Sequence, residues 1–223
     1  MPRGRSATPR LPHPLNPLAN KEGKQVKKFY RLLVLSAMGI VLAGCQPEAT
    51  PVKEFVAADI TGSPWGANFN LIDHHGQPRT VEDFKGKAVV LFFGYTHCPD
   101  VCPTTMAKLA NVMQKMGADS ERVQAIMVAL DPKRDTPEVL RQYVPAFHPS
   151  FVGLTGNEQQ IDAVAKEFKV MRMVQEPDKN GYYMVDHAGG LYAFDPQGKL
   201  RLFINEQHSV DTIAQDLQTL LKT

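Results

Sequence analysis

The run Ala88-Val89-Val90-Leu91-Phe92-Phe93-Gly94-Tyr95, followed at once by Thr96-His97-Cys98-Pro99-Asp100-Val101-Cys102-Pro103-Thr104, decides how this chain folds. The first part is continuously apolar and too short for a helix of ordinary length, the pattern of a central strand covered on both faces. From Pro103 to Met116 the period changes. Met106, Leu109, Ala110, Val112, Met113 and Met116 recur at helical spacing, and Gly117 suits a C-terminal stop. Two cysteines therefore fall where a central strand gives way to a helix. In open α/β folds that is the carboxyl edge of the sheet, where sites are built.

Reading outward, Phe69–Asp73 alternates and His74-His75-Gly76-Gln77-Pro78 turns, which predicts an opening hairpin. Downstream, Val123–Leu130 reads as a strand ending at Asp131-Pro132, and Thr136-Pro137-Glu138 as the start of a helix reaching Phe147. Phe151–Leu154 is a short strand, and Asn157 caps a helix with Ile161, Val164, Ala165 and Phe168 on one face. Strands at Tyr182–Val185 and Gly190–Phe194 flank His187-Ala188-Gly189. A last strand, Leu200–Ile204, and an amphipathic helix from Val210 to Leu221 complete the chain. Alternating strands and helices imply an α/β class, a central sheet with helices on both faces.

Cys102 is expected in the first helical turn, where free amides and the helix dipole favour an anion and so draw its thiol toward thiolate. Pro103 fits just inside the helix start, where no amide partner is needed. The four-residue spacing brings both sulfurs to one side of the junction, able to share a metal or to form a disulfide. A purely structural disulfide would close a very short loop and stabilise little by chain entropy. Two thiolates alone do not close a four-coordinate zinc site. With an imidazole they suit copper, as Cu(I) or Cu(II).

Seven histidines are available for that role. His13 is near the N-terminus, His74 and His75 sit in a turn, His148 follows a helix, and His208 precedes the last one. His97 adjoins Cys98 but faces away from it in an extended segment. His187 ends a strand, and Asp186 beside it is a candidate to orient its ring. The pattern alone leaves open whether that strand end reaches the cysteine loop.

The N-terminal part has its own design. Residues 1–44 carry eight basic residues and one acid, leaving 17 basic against 22 acidic residues from Cys45 onward, a net charge of −5. A domain of that sign does not attract polyphosphate, so nucleic acid is excluded as a partner. A basic stretch, Lys21–Arg31, precedes the apolar run Leu32–Leu42, which is shorter than the roughly 20 residues of a bilayer span. Leu42-Ala43-Gly44-Cys45 resembles a bacterial lipobox. We therefore expect residues 1–44 to be a signal peptide of lipoprotein type, Cys45 to be lipidated, 45–68 to be a tether rich in Pro, Thr and Gly, and 69–223 to be the folded domain. The expected location is the cell membrane, lipid-anchored, with the domain on the periplasmic or extracellular side.

Three separated motifs also resemble those of one family. Phe92–Thr104, Asp131-Pro132-Lys133-Arg134-Asp135-Thr136-Pro137 and Val185-Asp186-His187 are similar, in that order, to the signatures of the Sco/SenC copper proteins. The resemblance runs from about Phe69 to the C-terminus. It implies a thioredoxin-like fold with an added N-terminal hairpin, and one copper per chain held by Cys98, Cys102 and His187. It also implies a role in delivering copper to the dinuclear copper site of cytochrome c oxidase, or in maintaining that site's thiols. The expected partners are the copper-bearing subunit of that oxidase or another copper carrier. A thiol–disulfide oxidoreductase using Cys98 and Cys102 as a redox pair is the competing reading. A peroxiredoxin is a third; its pattern wants Thr three residues before the cysteine, where this chain has Pro99. Asp131, Arg134 and Asp135 read either as a charged loop near the site or as turn and capping residues.

Overall fold

The computed structural model describes residues 55–223. The expected signal peptide and the lipidated Cys45 lie outside the described residues. Strand β4 (Ala88–Gly94) is buried at every position, and so is β5 (Val123–Ala129). They pair in parallel from Ala88–Val123 to Gly94–Ala129. β6 (Val152–Thr155) continues the sheet in parallel beyond β5, while β9 (Leu191–Phe194) pairs antiparallel on the other side of β4 and β10 (Leu200–Ile204) follows it. The hairpin of β2 (Leu71–Asp73) and β3 (Pro78–Arg79) is present as expected. It extends the main sheet by pairing Ile72 with Thr155 at the β6 edge.

Helices cover both faces of the sheet, and β4 shows why. Successive residues on a strand point to opposite sides. Phe93 packs on Phe168, at the end of α3 (Glu158–Glu167), with ring centroids 5.3 Å apart. Phe92 and Gly94 face the other way, toward Cys102 in α1 (Val101–Met116). α4 (Val210–Leu220) packs beside α1. The cap signals hold: Thr136 accepts from the Val139 amide at the start of α2 (Pro137–Tyr143), and Asn157 and Gln160 form a reciprocal capping box on α3. This is the thioredoxin-like arrangement expected from the sequence. Among the described residues no helix is long and apolar enough to cross a membrane.

Two expectations need correction. The tether was placed at 45–68, yet residues 55–68 belong to the folded body. Ala57 is buried, β1 (Ala58–Asp59) pairs with β10 at the sheet edge, and the Val56 and Ala57 amides donate to the buried Asp216 carboxylate at 2.9 and 2.8 Å. A Pro- and Gly-rich composition marks turns, and here the turns are anchored by long-range hydrogen bonds that composition does not record. The strand expected at Tyr182–Val185 lies instead at Val185–His187 (β8). Its partner is β7 (Arg172–Val174), unnoticed in the sequence, and together they make a two-stranded ribbon separate from the main sheet.

Candidate metal centre

The cysteine loop starts where β4 ends. The Leu130 amide donates to the Gly94 carbonyl at 2.7 Å, tying the ends of β4 and β5 together. Gly94 is required by space: a Cβ there would lie 2.5 Å from the Phe92 ring and 3.1 Å from Cys102 Sγ. Thr96 donates its amide and hydroxyl to the buried Asp135 carboxylate, which pins the loop to the start of α2. Cys98 is half-buried and Cys102, in the first turn of α1, is fully buried. The Cys102 amide donates to Cys98 Sγ at 3.4 Å, and the two thiols are not bonded to each other.

His187 reaches this loop from the ribbon. Its Nε2 lies 3.7 Å from Cys102 Sγ, across 85 residues of sequence. Its Nδ1 is 3.1 Å from the Ala188 carbonyl, an atom that only accepts, so Nδ1 is the donor there and Nε2 is the ring nitrogen turned to the sulfur. Tyr95 meets the ring edge-on, with centroids 6.1 Å apart. Asp186 does not orient it. Neighbours on a strand face opposite sides, and Asp186 accepts instead from Gln175 Nε2 at 2.8 Å. The ribbon is held by Arg172, paired in register with His187. Its guanidinium donates to the Leu130 carbonyl at 2.6 Å, to Asp162 at 2.6 Å and to Glu158 at 2.8 Å. Neither Arg172 nor the Thr96–Asp135 contact carries a local sequence signal, because each partner is ten or more residues away.

The electrostatics reverse one expectation. Burial pushes the Cys102 thiol well above an ordinary cysteine, and the helix N-terminus does not offset it. Cys98 behaves as Cys102 was expected to. Burial raises its thiol too, but the amides of Cys102, Asp100 and Val101 and the Cys102 thiol outweigh that and leave it below the ordinary value. The pair is thus one thiol of lowered pKa and one protected thiol.

The charged loop after β5 does lie at the site. Asp131 is buried, ion-paired with Arg134 and bonded by the Tyr183 hydroxyl at 3.0 Å, while the Arg134 guanidinium stacks 3.7 Å over the Tyr183 ring. Burial, with a further push from the Asp131 charge, raises Asp135 to about 6 against the opposing bonds from Thr96 and the Arg134 charge. His97 points to Thr96 Oγ1 at 3.0 Å. His74 is buried and accepts from the Gly153 amide, His148 bonds Ser150 and His208 bonds the Asn205 carbonyl, each a local structural contact.

The donors that Cys98, Cys102 and His187 would supply are two sulfurs and one imidazole nitrogen. Soft sulfur ligands favour Cu(I), and two thiols with one imidazole leave a zinc tetrahedron incomplete. Among the described residues no three His, Cys, Asp or Glu side chains converge, as they stand, closely enough to hold a metal ion. A sulfur and a nitrogen bonded to one first-row metal at about 2.3 and 2.0 Å stand about 3.5–3.7 Å apart at tetrahedral to trigonal angles. The Cys102–His187 separation fits that geometry.

A thioredoxin-like sheet with a Cys-x3-Cys loop on the central strand and a histidine ribbon closing over it defines a class of thiol–imidazole site. The chain belongs to the SCO1/SenC family, whose sequence profile matches residues 57–222. A SCO2-like protein of Rickettsia felis is 41% identical over 135 residues, covering 60% of this chain and 66% of that relative. The chain spans somewhat under two thirds of the length of such curated relatives. Among solved structures, Bradyrhizobium japonicum ScoI with copper bound is 37% identical, with a TM-score of 0.65 over 70% of this chain and 99% of that one. A SCO1/SenC family lipoprotein from Bacillus anthracis is 26% identical, with a TM-score of 0.61 over 73% and 96%.

Proposed function

We propose that this chain is a copper metallochaperone that binds one copper ion through Cys98, Cys102 and His187 and passes it to the dinuclear copper site of cytochrome c oxidase or to another copper carrier. The observation that carries this reading is the contact of His187 Nε2 with Cys102 Sγ, made across 85 residues of sequence. Copper in the related B. japonicum protein supports the choice of metal. The ligands divide the work. Cys98, half-exposed and of lowered pKa, meets the incoming ion. Cys102 must surrender its proton to the metal's charge before it binds, which anchors the ion inside and makes loading release a proton. His187 closes the site and opens it for ligand-by-ligand exchange with an acceptor.

Titration of the reduced full chain with Cu(I) against a competing chelator tests this. One tight site per chain is expected, with strong weakening in His187→Ala. The unequal thiols favour a second reading, a thiol–disulfide oxidoreductase. Cys98 thiolate would attack a target disulfide, and Cys102 thiolate would then resolve the mixed disulfide, leaving a Cys98–Cys102 disulfide and a reduced target. Unaltered copper binding in His187→Ala together with robust disulfide reduction would select that reading. We further propose lipid anchoring through Cys45 on the outer side of the cell membrane, a reading supported by the lipoprotein relative. Mass spectrometry of the membrane-extracted protein should find a mature chain beginning at acylated Cys45; an intact 21–44 segment contradicts it.

A further inference from the structure

The ribbon that presents His187 has a second face. Met173 stands opposite Asp186, the Gln175 amide donates to the Met184 carbonyl at 2.9 Å, and the Ala188 amide to the Met171 carbonyl at 3.4 Å. This registry puts Met171, Met173 and Met184 on one face and Arg172, Val185 and His187 on the other. The three methionines are 62%, 55% and 36% exposed, whereas Met106, Met113, Met116 and Met127 are all buried. A strand face that only needed solvation would be polar. One that only needed to be apolar would favour β-branched or aromatic residues, which suit strands better. Here Met173 is the diagonal cross-strand neighbour of Met184 and two residues from Met171, within reach of side chains this long. Thioether sulfur is a soft ligand that selects Cu(I). The Asp186 carboxylate, held by Gln175, lies on the same face and makes it attractive to a cation.

We propose that Met171, Met173 and Met184 form a second, weaker Cu(I) site on the outward face of the ribbon, in which Met173 shares the ion with Met184 or with Met171, and which captures the ion before it passes to Cys98, Cys102 and His187. The proposal rests on the copper-binding reading above. Capture involves no redox change, since copper remains Cu(I).

The test uses the full chain in detergent with Cys45→Ser throughout, so that no other thiol competes. Three forms are titrated anaerobically with Cu(I) against a chromogenic chelator of moderate affinity: the parent, Cys98→Ser/Cys102→Ser/His187→Ala, and that variant with Met171→Leu, Met173→Leu and Met184→Leu added. Methyl-labelled methionine is followed by NMR as Ag(I), a redox-inert substitute, is added. The second form is expected to hold one Cu(I) and the third to bind it at least tenfold more weakly. The methyl signals of Met171, Met173 and Met184 should shift while those of the buried methionines stay. Equal binding by the second and third forms, or no shift at those three methyls, overturns the proposal. Leucine keeps the face apolar, so a mere protein-docking patch gives that overturning result. Loss of all binding in the second form refutes the methionine site and leaves the copper-binding reading intact; failure of the parent to bind tightly refutes that reading instead.

Discussion

The two halves of the site are built in opposite ways. The cysteine loop grows out of the best-packed part of the molecule, with Cys102 buried against Gly94 and Phe92 and the loop pinned by Asp135. The ribbon bearing His187 stands apart from the main sheet, exposes Met171, Met173 and Val174, and is fastened chiefly by Arg172. In the proposed function, a fixed thiol pair and a separately mounted imidazole would hold an ion and still open for transfer. Such division is what a chaperone requires and a permanent metal cofactor does not.

The fixed half should dominate affinity. Cys102→Ser is expected to weaken Cu(I) binding by about 1,000-fold or more while the protein stays folded, as read by chelator competition and circular dichroism. Retained tight binding would show that the buried thiol is not the anchor. Within that half the thiols should differ in reactivity. At neutral pH iodoacetamide should label Cys98 on the order of 100-fold faster than Cys102, as mapped by mass spectrometry, because one is lowered and only half-buried and the other raised and fully buried. Comparable rates would remove the asymmetry on which the proposed order of ligand loading depends.

The anchor of the loop has a pH signature. Asp135 is raised to about 6 from an ordinary 3.8, so the folded state binds its proton more tightly than the unfolded chain does. Its contribution is fully present below about pH 4 and is lost as pH rises toward 6. The cost to the folded state above pH 6 is about 3 kcal/mol. Urea titrations at pH 4 and pH 7 should show this slope in the wild type minus Asp135→Asn difference; a flat difference contradicts the assignment. The mounted half should respond least. Arg172→Met keeps the aliphatic stem but loses the bonds to Leu130, Asp162 and Glu158, and should weaken Cu(I) binding by about tenfold while leaving Cys98 labelling unchanged. An equal change in both would mean that the two halves are not separable.

The same contrast decides what the sequence disclosed. The central strand, helix α1 and the Cys98–Cys102 spacing are local patterns, and each appears where the periodicity put it. Thr136 and Asn157 caps are likewise local. The ribbon was half missed because β7 is three residues without alternation or aromatic enrichment, paired across a loop of exposed polar residues. Asp186 was misjudged for a related reason: adjacency in sequence on a strand means opposite faces. The thiolate was assigned to the wrong cysteine because a helix N-terminus can be read from sequence, whereas complete burial of Cys102 depends on the packing of Gly94 and Phe92. Residues 55–68 read as a tether in sequence because Asp216, which binds the Val56 and Ala57 amides, lies 160 residues away from Val56.

X-ray absorption spectroscopy of the full chain loaded with one equivalent of Cu(I) tests the central claim most directly. The account predicts a copper shell of two sulfurs and one imidazole nitrogen, with the nitrogen lost in His187→Ala. A shell without sulfur, or one left unchanged by His187→Ala, would contradict it.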